Sequence, residues 1–489
     1  MLRARASRRA RLLLPGLALL GLTPAPGSGA PVENACPTLS GESEGTSQED
    51  AAPARIREGA VLGFEDVLRL RSLLPIEVWR NRHAFFHEGM QLEIGPCHRR
   101  YAPPEFFAAA TRRGAGQARL DDEGNLHGHA AGLPFPPESI DPAAPDAGLR
   151  WAWNLERRYR GAGPAGSFRI VDMPSRFGSA QTYRGTWFFL QTSHRADLPA
   201  SDYRVPAAQG SAWIAGGNFD EPAAVRHLAW RQLRPLDVAV RYSAPDDTFV
   251  YVPSMRKVRR ASSTWIDGVY MPRYRVGGTD GGGGLAAGGG QFGPDAALNP
   301  SAAGSIAVTE HLRRGFEGLA LRPNGYRWRL LGEREVLAPL NITRSGYPLD
   351  PNRNFGPSGL SVGSDRWDVR YAVVIQGALK QRGLDYDLVT WYVDYQTQQP
   401  LYLIARRRGG GQLLEVGVLL HRYSGDLPRY PRWPSGERAN VFDPVAATFH
   451  HTADGGSGWR RESYDLTSAP RSEAEIQRLT SPGFLTRGH

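Results

Sequence analysis

The stretch WDVRYAVVI, Trp367 to Ile375, decides the fold class. Read at period two, Trp367, Val369, Tyr371, Val373 and Ile375 fall on one side, and Asp368, Arg370, Ala372 and Val374 on the other. That alternation predicts a strand with one face in an apolar interior and one face largely wet. DLVTWYVDY follows at 387–395, with Val389, Trp391, Val393 and Tyr395 on one face. The turn QTQQP leads into LYLIARRR, and the glycines 409–411 lead into LLEVGVLLHRY, where Leu414, Val416, Val418 and Leu420 align. Four strands joined by short turns predict an antiparallel meander. Similar runs stand at 168–172, 183–192, 237–243, 248–252 and 326–338. So many strands beside few helices predict a mainly β (α+β) chain built on a large, curved antiparallel sheet.

The 489 residues are long enough for several average domains or one large β-rich one. The 57 glycines and 38 prolines favour turns and short elements over long helices. Residues 1–30 read as a secretion signal: five arginines, the apolar run Leu12 to Leu22, then small residues and prolines. Ser28-Gly29-Ala30 fits a cleavage site, and the apolar run is too short to span a bilayer. Residues 31–58, rich in Ser, Glu, Pro and Gly, read as a disordered linker. The folded domain is expected over 59–470, with two subdomains at about 59–235 and 236–470, and 471–489 as a tail. Within it, FEDVLRLRSLLP reads as a helix carrying Phe64, Val67, Leu68 and Leu74 on one face and stopping at Pro75. PPEFFAAATRR reads as another, opened by Pro103 and Pro104. The tract GLPFPPESIDPAAPDAG reads as irregular, and the glycine run 277–290 as a surface loop.

Removing residues 1–30 with their five arginines lowers the net charge from +10 to +5. Lys257 and Lys380 are the only lysines. The arginine excess reads either as genome composition or as dense recognition of anions. Export makes nucleic acid an unnatural partner and predicts a periplasmic protein, with outer-membrane association open and membrane contact peripheral at most. Cys36 and Cys97 are available for one disulfide in an oxidising compartment, tying the N-terminal arm to the body. The sequence leaves that pairing open.

No set of residues in the sequence forms a catalytic constellation. His83 and His87 stand four apart in HAFFHE, which on a helix is metal-ligand spacing, but Glu88 follows the second histidine rather than the first. His127, His129, His450 and His451 have no identifiable partners for a metal. Neither cysteine sits in a C-x-x-C. No cofactor, metal or catalytic residue is expected, and an exported metal-dependent enzyme is the third-ranked reading.

Several phrases together resemble a known family. DDTFVYVPSMRKVRR (246–260), AGLPFP (131–136) with AGLRWAWN (147–154), YRWRLLGEREVLAPLN (326–341) and WYVDYQTQQPLYLIARRRGGGQLLEVG (391–417) are similar in order to an exported Gram-negative family, domain of unknown function 1329. That family is grouped with the LolA/LolB lipoprotein carriers. Phe249, Val252 and Lys257 depart from its pattern, where Trp, Leu and Arg are usual. The resemblance implies an incomplete antiparallel β-barrel capped by helices, an apolar cavity and no catalytic residues. It implies carriage of a lipid or lipid-like ligand, with an RND-type exporter or an outer-membrane protein as a partner.

On that reading Tyr251, Trp328, Trp367, Tyr371 and Trp391 are expected to line the cavity. The cluster Arg256, Lys257, Arg259 and Arg260 follows a strand end at Pro253. Three roles compete for it. It is a solvated edge strand that blocks sheet-to-sheet pairing, a patch for anionic head groups, or a set of buried pairs with Asp246 or Asp247. The function expected first is a non-enzymatic periplasmic carrier or chaperone for a hydrophobic ligand in envelope lipid or lipoprotein trafficking. The alternative is a structural adaptor of an envelope export complex, with a filled core.

Overall fold

The computed structural model describes residues 36–37, 56–173, 179–200, 203–208, 210–223, 226–253, 256–263, 273–276, 306–309, 318–342, 353–380, 386–407, 411–452 and 458–486. The expected signal peptide, nearly all of the linker and the glycine run 277–290 lie outside them. The strands, in chain order, begin with β1 (Val61–Leu62), β2 (Leu92–Cys97), β3 (Arg119–Leu120) and β4 (Leu126–His127). Next come β5 (Ala165–Met173), β6 (Gln181–Gln191), β7 (Ser211–Glu221), β8 (Ala229–Pro235), β9 (Asp246–Val252) and β10 (Lys257–Ser263). Then follow β11 (Arg273–Val276), β12 (Ile306–Thr309), β13 (Tyr326–Ala338), β14 (Arg366–Leu379), β15 (Leu388–Asp394) and β16 (Pro400–Arg406). The last are β17 (Leu413–Tyr423), β18 (Phe442–His451) and β19 (Gly458–Thr467). The helices are α1 (Ile76–Arg80), α2 (Arg82–Phe85), α3 (Glu105–Gly114), α4 (Ala147–Arg157) and α5 (Glu473–Thr480).

Two meanders, β5 to β10 and β14 to β19, meet in one 15-stranded sheet. The join is the antiparallel pair β19–β5, from Trp459 opposite Met173 to Thr467 opposite Ala165. The sheet does not close, because β1 and β10 end its path, and β13 pairs with β14 beside it. The fold is therefore mainly β with few helices, as the strand periodicity predicts. One correction concerns direction. β2 runs parallel to β14, so the sheet is mixed rather than wholly antiparallel. The boundary drawn near 235/236 falls between β8 and β9, which are hydrogen-bonded neighbours.

A second correction concerns the wet face of β14. Asp368, Arg370, Ala372 and Val374 are all buried. The reason is that both faces of this part of the sheet are covered. On one side Leu70, Leu74, Val78, Phe85 and Phe86, from the N-terminal turns and α1–α2, pack with Trp367, Val369, Ala372, Val374 and Val418. On the other, Ala147, Trp151, Ala152 and Leu155 of α4 pack with Val373, Ile375, Val389, Trp391 and Val393. Trp367 and Ile375 thus belong to different clusters, although one alternation links them. The polar residues are buried because each finds a partner. Tyr101 donates its hydroxyl to Asp368 at 2.5 Å, and Arg370 holds Asp394 at 2.8 Å.

Local signals also shift. The helix expected from Phe64 to Leu74 is a 3-10 turn at Glu65–Leu70. The strand expected at 237–243 is a 3-10 turn at Leu236–Ala239, entered from Pro235. The C-terminal tail contains α5, whose Leu479 packs with Phe484, Phe188, Leu190 and Ile214 on the outer side of β6 and β7. Cys36 and Cys97 form a disulfide that anchors residue 36 to the end of β2. No described helix is long and apolar enough to cross a membrane.

Candidate ligand face

The face that carries α4 continues onto the second half of the sheet. Ala447 and Phe449 of β18 stand opposite Glu462 and Arg460 of β19. The next residues on that side of β19 are Tyr464 and Leu466, which belong to an aromatic cluster spread over β5 to β9. Alternation builds the cluster. In β6, Trp187 and Phe189 face it, while Phe188 and Leu190 turn to α5. In β7, Trp213 and Ala215 face it, while Ile214 turns away. Phe168, Phe219 and Trp230 complete the surface, with ring centroids 5.1 Å apart for Phe189–Trp213 and for Phe219–Trp230. The indole N–H groups of Trp213 and Trp230 are buried without hydrogen-bond partners. The rings and methyl groups adjoin buried polar groups, Gln232, Arg234 and Asp246 at one side and Arg460 and Glu462 at another, and the aromatic part between them is suited to apolar contact.

What lies over this face differs from what covers β13–β16. Among the described residues, the hydrophobic groups from outside the strands are Leu228, Leu236, Leu319 and Ala320, and none is helical by α-helix geometry. The segment bearing Leu319 and Ala320 is pinned at both ends by polar contacts. Arg158 donates to the Gly318 carbonyl, and the Leu321 N–H donates to Glu156 Oε2 at 2.7 Å, both on the α4 side. Arg322 reaches across to Asp246 at 2.5 Å and to the carbonyls of Tyr242 and Ala244. Asp246 also accepts from Arg234 at 3.1 Å and from Gln232 at 2.7 Å. Burial and the neighbouring Arg234 pull the Arg322 guanidinium down to about 9.

The residues expected to line one cavity are dispersed. Trp328 and Trp391 share the α4 cluster, and Trp328 donates its indole N–H to Pro323 O at 2.8 Å. Trp367 packs in the cluster across the sheet and donates to Val362 O. Tyr371 is half-buried beside Tyr395, its hydroxyl raised to about 12 by burial and by Glu333. Tyr251 packs partly against the α5 cluster. The reason is that one alternation names a face but not what covers it along its length. The aromatic strands β6, β7 and β8 were the stronger signal: WFFL at 187–190 and Trp213 and Trp230 each alternate with residues for the other face.

Lys257, Arg259 and Arg260 of the basic cluster lie on β10, at one end of the sheet, and Arg256 in the turn before it. Arg256, Lys257, Arg259 and Arg260 are all exposed, and Arg260 pairs at the surface with Asp247. Asp246 is taken by Arg234 and Arg322 instead. The histidines do not converge. α2 ends at Phe85 and Phe86 is extended, so His87 leaves the helix that carries His83. His87 shares a 2.6 Å hydrogen bond with Ser361, and burial lowers its pKa. His127 pairs with Asp121 and His451 with Glu415. Among the described residues no group of three His, Cys, Asp or Glu is placed to hold a metal ion.

Residues 82–273 match the family described as protein of unknown function (DUF1329). The resemblance carried by the sequence motifs holds over that span, and β5–β9 lie wholly inside the DUF1329 match. No curated protein matches the chain. Among solved structures, an outer membrane lipoprotein-sorting protein domain from Vibrio parahaemolyticus shares 13% identity, covering 70% of this chain and 100% of its own, at a TM-score of 0.37. A DUF1329 family protein from Desulfovibrio piger shares 11%, covering 71% and 99%, at 0.38. A LolA superfamily protein from Nitrosomonas europaea shares 13%, covering 68% and 97%, at 0.31.

Proposed function

We propose that the protein is an exported, non-enzymatic carrier whose hydrophobic ligand lies on the aromatic face of β5–β9. One observation carries this reading. Adjacent strands present Phe168, Trp187, Phe189, Trp213, Phe219 and Trp230 together, while α4 covers the neighbouring strands. Leu319 and Ala320 offer little apolar area to such a surface. A ligand with about twelve buried methylenes gains roughly 10 kcal/mol gross at about 0.8 kcal/mol each, before ordering costs. It must displace the 318–322 segment and break the contacts of Arg322 and Glu156. The ligand-free state is then closed, with Trp213 and Trp230 fully buried.

The same burial favours a second reading, an adaptor with a filled core in an envelope assembly. The two part on one experiment. Exported protein is extracted and its lipids are identified by mass spectrometry, and an apolar fluorescent dye is titrated against protein and against Trp213→Ala. A carrier yields stoichiometric lipid, or dye binding that weakens up to about tenfold in the variant, about 1.4 kcal/mol, at the upper end of what an aromatic contact contributes. Lipid-free protein with no dye binding leaves the adaptor.

A further inference from the structure

The C-terminal turn of α4 holds more positive charge than its acids neutralise. Glu156, Arg157, Arg158 and Arg160 are all nearly buried. Glu156 is committed to Arg160, 3.2 Å away, and to the Leu321 N–H. Asp197 is committed to Arg195, which it holds at 2.7 Å. Arg158 has no acid, but it donates to Gln399 Oε1, Leu155 O and Gly318 O. Arg157 differs. It is 8% exposed, its Nε has no hydrogen-bond partner, its ring contact is with Trp153 at 5.8 Å, and the nearby Glu156 acts on it through charge while its carboxylate is bonded elsewhere. The Nε and Nη1 of Arg160 are also buried without hydrogen-bond partners.

These groups open on one small pocket between α4 and the 191–197 segment. Its internal volume is about 20 Å³, room for a single water-sized group, and Phe106 and Phe107 are among its lining residues. His194 lines it, stacked on His129 at 4.9 Å. Both rings use an N–H on backbone: His194 Nδ1 faces Ala130 O, and His129 Nε2 faces Gly132 O. Burial and Arg157 push His129 down to about 3 and His194 lower than usual, so neither supplies a counter-charge nor competes for an anion by protonating. The Tyr159 hydroxyl is spent on Ala439 O. A guanidinium held out of water without an acid bonded to it is costly, and a small anion lowers that cost.

We propose that this pocket binds one small anion, either a halide or a single oxygen of a carboxylate or phosphate group, with Arg157 as the chief cation and Arg160 beside it. The site adjoins the aromatic face, since Arg160 lies over the Phe189 ring at 5.5 Å, but it does not depend on the carrier reading. Its size admits one atom of the anion to the interior, and any larger body stays outside the mouth.

The test uses the exported chain and three probes. Crystals of the wild type are soaked in sodium bromide, and an anomalous peak is expected within about 3.5 Å of an Arg157 guanidinium nitrogen. Melting is followed in sodium chloride against sodium gluconate at equal ionic strength, then with inorganic phosphate, then with vesicles of phosphatidylglycerol against phosphatidylcholine. Chloride above its Kd is expected to raise Tm by about 1.5 °C per tenfold increase in the wild type. Arg157→Met is expected to lose that response and Arg157→Lys to keep part of it. A response to phosphate alone, or to phosphatidylglycerol alone, supports the site and names the anion's source. No bromide peak and no response to any probe overturns it, as does an Arg157→Met variant that responds like the wild type. If Arg157→Met does not fold, the bromide map and the Arg157→Lys titration decide.

Discussion

Arg234 and Arg322 share one carboxylate, Asp246, with all three side chains out of solvent. Residue-scale behaviour in this protein follows from such burial. His421 is an example. It sits in β17 with burial, and then Arg158, lowering it to about 3. The unfolded chain titrates it near 6.5. The folded state therefore stays neutral where the unfolded state takes a proton. This contribution is complete above pH 6.5 and is lost as pH falls from there towards 3, at up to about 1.4 kcal/mol per pH unit. Asp368 and Asp443, raised to about 6 chiefly by burial, act oppositely between their unfolded values near 4 and pH 6. His421→Asn is expected to lower the slope of stability against pH between 6.5 and 5 by about one proton, measured by urea unfolding at each pH. An unchanged slope would show that the imidazole is not held neutral. None of this was legible in the sequence. A histidine in LLHRY reads the same whether it faces water or a covering arginine.

Elements were more legible than residues. β5, β6, β9, β13 and the meander β14–β17 stand close to their expected spans, because a half-buried strand writes its own period. α3 starts one residue after its two prolines, as the capping signal predicts. α4 was not recognised as a helix, since it follows a Pro- and Gly-rich tract that reads as irregular. Its reason for existing is tertiary: Ala147, Trp151, Ala152 and Leu155 form a stripe against β13 and β14. Gly148 lets α4 approach closely. A Cβ there would lie 2.6 Å from the Arg329 carbonyl carbon and 2.7 Å from the Leu330 nitrogen. Gly148→Ala gains helix propensity yet is expected to lose about 1–3 kcal/mol, because strand backbone cannot yield as a side chain can. Chemical denaturation checks this, and a stabilised variant would mean that α4 is free to rise. The edge strand β10 needs no such partner. Its exposed cations are expected to oppose pairing with another sheet edge.

At the scale of the whole molecule, the decisive contact is the β19–β5 ladder, which joins residues near 168 to residues near 464. It makes the two meanders one sheet. Unfolding is therefore expected as a single transition, with tryptophan fluorescence and far-ultraviolet circular dichroism superimposing. Ser463→Pro, which removes a backbone donor opposite Arg169 in the middle of that ladder, is expected to separate them into two transitions. Coincident curves in the variant would show that the ladder is not what couples the halves.

Many strand positions, the β-rich class and the DUF1329 match of residues 82–273 were present in the linear order of residues. They rest on periods and motifs a few residues long, and local sterics read those directly. Which strands meet, which face each tryptophan joins and which arginines lose water depend on residues hundreds of positions apart. Trp367 and Trp391 look alike in their strands, yet one lies under the N-terminal turns and the other under α4. Burial is a property of what folds over a side chain, and that partner is chosen only when the whole sheet assembles.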